Sequence, residues 1–510
     1  MAKPYKTPDV YVTEVSTLPP SVVQVATAVP AFIGNVAKVL DDGGNAIAPP
    51  VFPVIRRITS IAEYEQYFGG PALLTGTLTC EVTQKNNQII TASISFEEMA
   101  ETGLDDKKNP VFSKGTSAAK VNTLYYALQL FFANGGGVAY VAAIGVTGGG
   151  LAENVAQTTP VDALKAALIE LEKADEVTLL LAPEFATAAD YAVNAAQPLL
   201  AHAAKMGDRF ALVDAPSTIK PNDVKALTSW RGTIAGTVDT LKYGAAYYPF
   251  LNTPLQAQPD TGKIVVAGTL KKITVDENGK EQTASSTMPE TTLAALLKKY
   301  TGSQLEAQTL ALLAQQTLTL PPSAAIAGVY AQTDAARGVW KAPANVPLAA
   351  VNGPAVIVTA EQQGEFNVDA TAGKSINVIR AFTGQGSLVW GARTLAGNSN
   401  EWRYINVRRL FNMVEESVKK ATAFAMFEPN TPMTWLKVKS MIDSYLTGLW
   451  KQGALFGDTA EQAFFVTVGL GTTMTEDDIN NGYMNIKIGL AAVRPAEFIE
   501  LAFSHKSIGA

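Results

Sequence analysis

Cysteine and histidine are almost absent from this 510-residue chain, which has one cysteine, Cys80, and two histidines, His202 and His505. A single thiol excludes an internal disulfide and any zinc site that needs several thiolates. Two histidines provide almost no material for a His-centred catalytic triad or metal cluster. The composition therefore predicts a chain with no cofactor and no metal.

An excess of charge of one sign and long apolar runs are also lacking. The 40 basic and 46 acidic side chains give a formal charge of −6, which is too balanced for a general polyanion-binding surface, so nucleic acid is not an expected partner. No apolar run approaches the ~20 residues of a membrane span. The N-terminal residues 1–8 lack the apolar stretch of a signal peptide. We therefore expect assembly in the cytoplasm without a leader and without direct membrane insertion.

Motifs for phosphate binding or acid–base catalysis are missing as well. The run Gly373-Lys-Ser375 has Val368 where a phosphate loop requires glycine. The glycine pairs and triplets elsewhere lack the spacing and the following helix of a dinucleotide site. The acidic pair Asp477-Asp478 fits the polar first turn of a short helix. These observations predict that the chain is not an enzyme.

Strand-like and helix-like segments alternate from Val29 to about Pro254, which predicts an α/β domain over residues 26–345. Two stretches rich in Thr, Lys, Asn and Gln, residues 73–118 and 255–318, interrupt this alternation and are interpreted as polar insertions forming small surface modules. The predicted strands are Phe32–Gly34, Ala139–Ile144, Val177–Leu181 and Phe210–Val213, and the predicted helices cover Val121–Asn134 and Val161–Lys173.

The last third of the chain has the most regular pattern. Apolar residues recur every three or four positions from Tyr404 to Phe427, which predicts a helix whose opposite side carries Glu415 and Glu416. A second helix is predicted from Thr431 to Trp450, with Thr431-Pro432 capping and opening it. Three strand-like runs follow, at Phe464–Leu470, Tyr483–Val493 and Phe498–Phe503. We expect a C-terminal domain, residues 346–510, of two helices packed on a small sheet.

The first 25 residues form a proline-rich arm with one β-prone run. Alternation in that run suits a strand that joins an existing sheet, and a disordered tail is the competing interpretation. The run consists of Val10, Tyr11, Val12, Thr13, Glu14 and Val15.

Several motifs in order resemble the tail sheath proteins of contractile bacteriophages and related injection particles. The segment Leu320–Asn345, which contains the run Gly328-Val-Tyr-Ala-Gln-Thr-Asp-Ala-Ala-Arg337, is similar to the hallmark stretch of that family. Downstream motifs follow at Ile376–Arg380, Trp390–Leu395, Trp402–Leu410, Phe427–Asn430 and Gly453–Gly457, and weaker ones occur upstream at Thr27–Gly34, Ile58–Gly69, Phe131–Gly136 and Tyr243–Pro249.

The resemblance implies a structural subunit that polymerises helically around an inner tube and contracts irreversibly when a baseplate triggers it. It also implies partners at the baseplate and at the terminator or cap, and C-terminal sheets completed by strands from neighbouring subunits. Besides residues 10–15, the strand expected to be exchanged comprises Phe498, Ile499, Glu500, Leu501, Ala502 and Phe503. The expected hinges are residues 16–25 and the linker before Phe498.

The surface that faces the inner tube must bind and later release it, which favours screened charge over apolar contact. The candidates on the two C-terminal helices are Lys419, Lys420, Lys437 and Lys439, and ordinary solvated helix faces are the competing interpretation. An alternative function is a surface-exposed carbohydrate-binding or hydrolytic protein that acts through the insertions. The sequence leaves open whether the particle is a phage tail, a bacteriocin or an injection system.

Overall fold

The structure is a computed structural model, and it describes residues 21–47, 51–71, 73, 75–85, 88–104, 110–114, 123–146, 159–188, 190–275 and 280–500. The chain divides into two compact units. The large unit comprises Ala26–Asn412 and Arg494–Ala510, and the small unit comprises Met1–Val25 and Met413–Val493. The predicted strand at residues 10–15 and the last residues of the C-terminal one, 501–503, lie outside the described residues.

The strands of the described residues are β1 Pro30–Val36, β2 Val54–Ile58, β3 Gly76–Lys85, β4 Gln88–Leu104, β5 Pro110–Lys114, β6 Ala139–Val146, β7 Leu179–Leu181, β8 Phe210–Asp214, β9 Gly244–Tyr248, β10 Leu251–Gln256, β11 Val265–Val275, β12 Glu281–Thr292, β13 Thr317–Leu320, β14 Val346–Pro347, β15 Gly353–Pro354, β16 Ile376–Phe382, β17 Gly386–Trp390, β18 Phe464–Val468 and β19 Ile486–Leu490.

The α-helices of the same residues are α1 Ile61–Phe68, α2 Thr123–Ala133, α3 Pro160–Leu171, α4 Gln197–Met206, α5 Val224–Thr233, α6 Val238–Leu241, α7 Leu293–Lys299, α8 Gln304–Ala314, α9 Ser323–Arg337, α10 Ala360–Asn367, α11 Ile405–Thr422, α12 Pro432–Lys451, α13 Ala460–Ala463 and α14 Glu476–Asn480. The last of these helices confirms that Asp477 and Asp478 lie in a polar first turn, where Thr475 and Asp478 form a reciprocal capping box.

A nine-stranded mixed sheet in the order β14-β17-β16-β9-β8-β7-β1-β6-β2 forms the centre of the large unit. The six strands from β16 to β6 run parallel, and antiparallel strands flank them on both sides. Apolar clusters cover both faces, which is why a central strand such as β7 is a continuous buried run of three leucines. The predicted α/β fold is confirmed.

The two polar insertions fold together into one module. Strands β3 to β5 of the first insertion and β11 and β12 of the second form a five-stranded sheet, in which β11 pairs in parallel with β3. Leu78, Cys80 and Val82 of the first insertion share a buried cluster with Val266 and Leu296 of the second. The insertions, which were expected to form small surface modules, thus share one core.

The expected boundary between residues 345 and 346 does not coincide with the division into units. Strand β16 pairs in parallel with β9, and β17 pairs with β16, so residues 376–390 extend the sheet of the large unit. The break falls instead between Asn412 and Met413, inside α11. Sequence periodicity could not locate this break because the helical pattern runs through it without interruption.

Candidate assembly surface

Helix α12 begins at a turn that its neighbours hold in place. Pro432 occupies the first helical position after Thr431, whose backbone is extended as in a capping residue. Thr431 was expected to cap the helix, but its side chain makes no capping hydrogen bond. Instead, the hydroxyl of Thr434 donates to the carbonyl oxygen of Pro429 at 2.7 Å, and the indole of Trp435 donates to Asn430 Oδ1 at 2.6 Å.

The small sheet of the small unit consists of β18 and β19, which pair antiparallel from Phe464 opposite Leu490 to Val468 opposite Ile486. Helix α12 packs on β18, whose Phe464 and Val466 are buried. A sheet of two strands has two open edges, and in the described part of the chain no third strand covers either edge. An isolated pair of strands is marginally stable, so this sheet is suited to accept further strands.

Several large apolar side chains of the small unit are exposed. Phe465 on β18 is half exposed, and Phe456, just before α13, is 74% exposed. Phe427, in the turn after α11, is fully exposed and adopts a left-handed backbone with φ 65°. Such a backbone is unfavourable for a bulky residue, so the local structure must hold it there. Exposed aromatic groups of this kind are typical of a surface that another protein covers.

The four predicted tube-contacting lysines lie on the two helices of the small unit. Lys419 and Lys420 both pair with the carboxylate of Glu416, at 3.1 and 3.4 Å. Glu416 was expected on the solvent side of α11. It is buried instead, and its carboxylate pairs with both lysines. Lys437 is exposed on α12, and Lys439 pairs with Asp443 on the same helix.

The start of the large unit is fastened immediately after the N-terminal arm. The hydroxyl of Thr27 donates to Asp334 Oδ2 at 2.6 Å, and Arg409 donates to the carbonyl oxygen of Thr27 at 2.8 Å. Asp334 and Arg409 themselves form a buried ion pair. Within the small unit, the backbone amide of Val25 donates to Ser417 Oγ at 3.1 Å. Val25 and Thr27 are therefore both held by hydrogen bonds where the arm ends.

A second cluster fastens the C-terminal segment of the large unit at Glu497. Arg393 donates to both carboxylate oxygens, with Nε at 2.8 Å and Nη2 at 2.7 Å. Asn367 Nδ2 donates to Oε1 at 2.8 Å, and the Tyr404 hydroxyl donates to Oε2 at 3.1 Å. Burial opposes ionisation of Glu497, but the hydrogen bonds from Arg393 and Asn367 outweigh it and lower its pKa. The sequence gives no sign of this cluster, because about 100 residues separate Glu497 from its partners.

Lys374 of the Gly-Lys-Ser run and His202 are both buried and held by contacts within the large unit. Lys374 is buried, and its ammonium donates to the carbonyl oxygen of Arg231 at 2.7 Å. His202 Nε2 lies 2.9 Å from Nη1 of buried Arg209, and burial lowers the pKa of His202 to about 4. His505 lies outside the described residues.

Within the ranges that the structure describes, no group of three or more His, Cys, Asp or Glu side chains is placed to hold a metal ion. No helix of those same ranges is long and apolar enough to cross a bilayer.

Sequence comparison finds two kinds of match. The family model for the phage tail sheath C-terminal domain matches residues 398–505. The tail sheath protein of Vibrio phage KVP40 is 32% identical over 137 residues, which is 27% of this chain and 20% of that protein. The alignment thus spans a fifth of the length of this curated relative.

Solved structures match along almost the whole chain. A chain in the cryo-EM structure of the anti-feeding prophage baseplate is 31% identical with a TM-score of 0.59, over 99% of this chain and 100% of that one. A chain in the helical sheath of the anti-feeding prophage in its contracted state is 30% identical with a TM-score of 0.60, over 98% of this chain and 100% of that one.

Proposed function

This chain belongs to the family of contractile tail sheath proteins, and from that premise we propose that it polymerises helically around an inner tube and contracts to drive the tube through a target cell envelope. The observation that carries the proposal is the match along 98% of the chain to a protein of a helical sheath. The baseplate structure among the matches supports a baseplate partner, and an inner tube and a terminator complete the proposed particle. The role is structural rather than enzymatic, with assembly in the bacterial cytoplasm.

The open two-stranded sheet supports a specific mode of assembly. Residues 10–15 and 498–503 are our candidates for the strands that neighbouring copies add to β18 and β19, since both are strand-like runs in the sequence. Backbone pairing at each edge contributes about 1 kcal/mol net per hydrogen bond, and a helical lattice repeats this contribution at every subunit. The exposed aromatic groups beside the sheet would be covered in the same assembly.

The lysines of α11 and α12 are our candidates for contact with the inner tube. Lys437 is exposed, while Lys419 and Lys420 both pair with the carboxylate of Glu416 and keep their side chains at the surface. Screened charge holds a partner less permanently than apolar contact, which suits a tube that must be released. Reversal of all four charges should weaken assembly on the tube while sparing the isolated fold.

Electron microscopy of the purified full-length chain, with and without the inner tube protein, tests the proposed function. Long hollow tubes of regular helical repeat are expected. A discrete small oligomer under both conditions would contradict the proposal and favour the alternative of a surface protein acting through the insertions, for which the comparisons give no support.

A further inference from the structure

Among the described residues, Glu497 is the last one toward the C-terminus whose side chain forms hydrogen bonds with the large unit. Its carboxylate accepts hydrogen bonds from Asn367 at the end of α10, Arg393 after β17 and Tyr404 immediately before α11. Side chains from three separate parts of the large unit thus converge on one group. The Arg393 side chain is 5% exposed and that of Glu497 is 20% exposed, so solvent screens this ion pair weakly.

The three described residues immediately beyond this point are exposed. Phe498 is 76% exposed and Ile499 is 78% exposed, although both are large apolar side chains. The next described residue, Glu500, is exposed as well. A tightly held carboxylate followed at once by exposed apolar residues is the arrangement expected of a segment whose partner lies elsewhere.

We propose that Glu497 is the positioning residue of the C-terminal strand: the cluster of Arg393, Asn367 and Tyr404 fixes the point from which the exposed run beginning at Phe498 is presented to another copy of this chain. The inference rests on the proposed strand exchange and adds where the held part of the C-terminal segment ends. The hinge expected before Phe498 is thereby narrowed to the junction between Glu497 and Phe498.

Fixing this point matters because contraction requires force to pass between subunits. If the carboxylate were released, residues 494–497 would join the free tether and lengthen it by about 13 Å when extended. A slack tether would still allow the strand to pair with a neighbour. It would transmit less of the movement of one subunit to the next.

The test compares particles that carry Glu497→Gln, which removes the charge at nearly constant shape, with particles that carry Glu361→Gln, an exposed position in the first turn of α10, as the matched control. A nitroxide attached to Ile499→Cys in the unassembled full-length chain reports how firmly the segment is held, since Ile499 is exposed and the native Cys80 is fully buried. We expect faster motion of the nitroxide in Glu497→Gln, as the loss of charge-assisted hydrogen bonds predicts, and parental motion in Glu361→Gln. Circular dichroism of both variants should remain as in the parent, which a general loss of folding would not allow.

Electron microscopy then reports the function. Glu497→Gln sheaths should assemble to parental length, and a smaller fraction of them should contract after a trigger that contracts the parent fully. Parental contraction, or unchanged motion of the nitroxide at position 499, would overturn the proposal. If Glu497→Gln yields no soluble chain, Tyr404→Phe takes its place. This variant removes one hydrogen bond, leaves the ion pair intact, and should show the same change to a smaller degree.

Deletion of residues 498–510 separates this inference from the proposal on which it rests. Loss of assembly in the deletion variant combined with parental contraction of Glu497→Gln would remove the positioning role and leave strand exchange standing. Normal sheaths from the deletion variant would remove strand exchange itself, and the positioning role with it.

Discussion

At the scale of single residues, Asp214 shows most clearly what burial does to a charged group. It ends β8 in the large unit and is fully buried. Its Oδ1 accepts the backbone amide of Ser323 at 2.8 Å, and its Oδ2 has no hydrogen-bond partner among the described residues. Burial raises the pKa of Asp214 to about 7, and the hydrogen bond from Ser323 offsets only part of this effect.

This pKa predicts a specific loss of stability at higher pH. The folded-state pKa lies above the unfolded value, so the contribution of Asp214 is fully present in acid and is lost as the pH rises through about 7. Asp214→Asn removes the ionisation. Urea unfolding of the parent should therefore lose up to about 1.4 kcal/mol per pH unit relative to the variant between about pH 4 and pH 7.

The exposed Asp42→Asn variant is the control for this measurement, and its profile should parallel that of the parent. If the free energies of unfolding of the parent and of Asp214→Asn changed in parallel with pH across this range, Asp214 would ionise without loss of stability. That result would contradict the effect expected from its burial.

At the scale of elements, the module built from the two insertions depends on one close approach between strands. A Cβ atom added to Gly268 on β11 would lie 1.8 Å from the carbonyl oxygen of Cys80 on β3. Gly268→Ala should therefore separate the two strands. Cys80 is the single cysteine of the chain and is fully buried, and burial raises its thiol pKa to about 11.

Reaction of Cys80 with a thiol reagent measures this separation directly. We expect fast labelling in Gly268→Ala and slow labelling in the parent. Gly262→Ala, in the exposed turn before β11, meets its nearest atom at an ordinary 3.4 Å and should label as the parent does. Equal labelling rates in all three proteins would mean that β11 and β3 are not in register as described.

Because the two insertions share one buried cluster, deletion of one of them should expose apolar residues of the other. Strands β10 and β13 pair at Gln256 opposite Thr317, so a short turn can replace residues 257–316. Removing this insertion alone should expose Leu78 and Val82 and cause aggregation, measurable as loss of monomer in size-exclusion chromatography. Removing residues 73–118 as well should restore soluble chain. A single deletion that is as soluble as the double deletion would contradict the shared core.

Hydrophobic periodicity predicted the strands and helices that bury their own apolar residues. It missed the contacts between segments that lie far apart in the chain. Strands β1, β6, β7 and β8 and helix α12 followed from apolar runs and spacing, because each buries its own pattern. The parallel pairing of β3 with β11 could not be predicted, since about 190 residues separate the two strands and no local pattern links them. The cluster around Glu497 was missed for a similar reason: its four polar residues have no spacing in common.

At the scale of the whole molecule, the N-terminal arm should be dispensable for folding and required for assembly. Its described end is anchored at Val25 and Thr27. Deletion of residues 1–20 leaves these anchors in place and removes only the strand proposed for exchange. We expect a folded chain with parental circular dichroism that forms no sheaths. Normal-length sheaths from the truncated chain would contradict the exchange of this strand.

The most direct test of strand exchange is a helical reconstruction of the assembled sheath at a resolution that separates strands. The account predicts that β18 and β19 gain strands at their open edges, formed by residues 10–15 and 498–503 of neighbouring copies, and that Glu497 stays bound to Arg393 in every subunit. A sheath in which β18 and β19 remain a two-stranded sheet, with both terminal segments lying elsewhere, would contradict it.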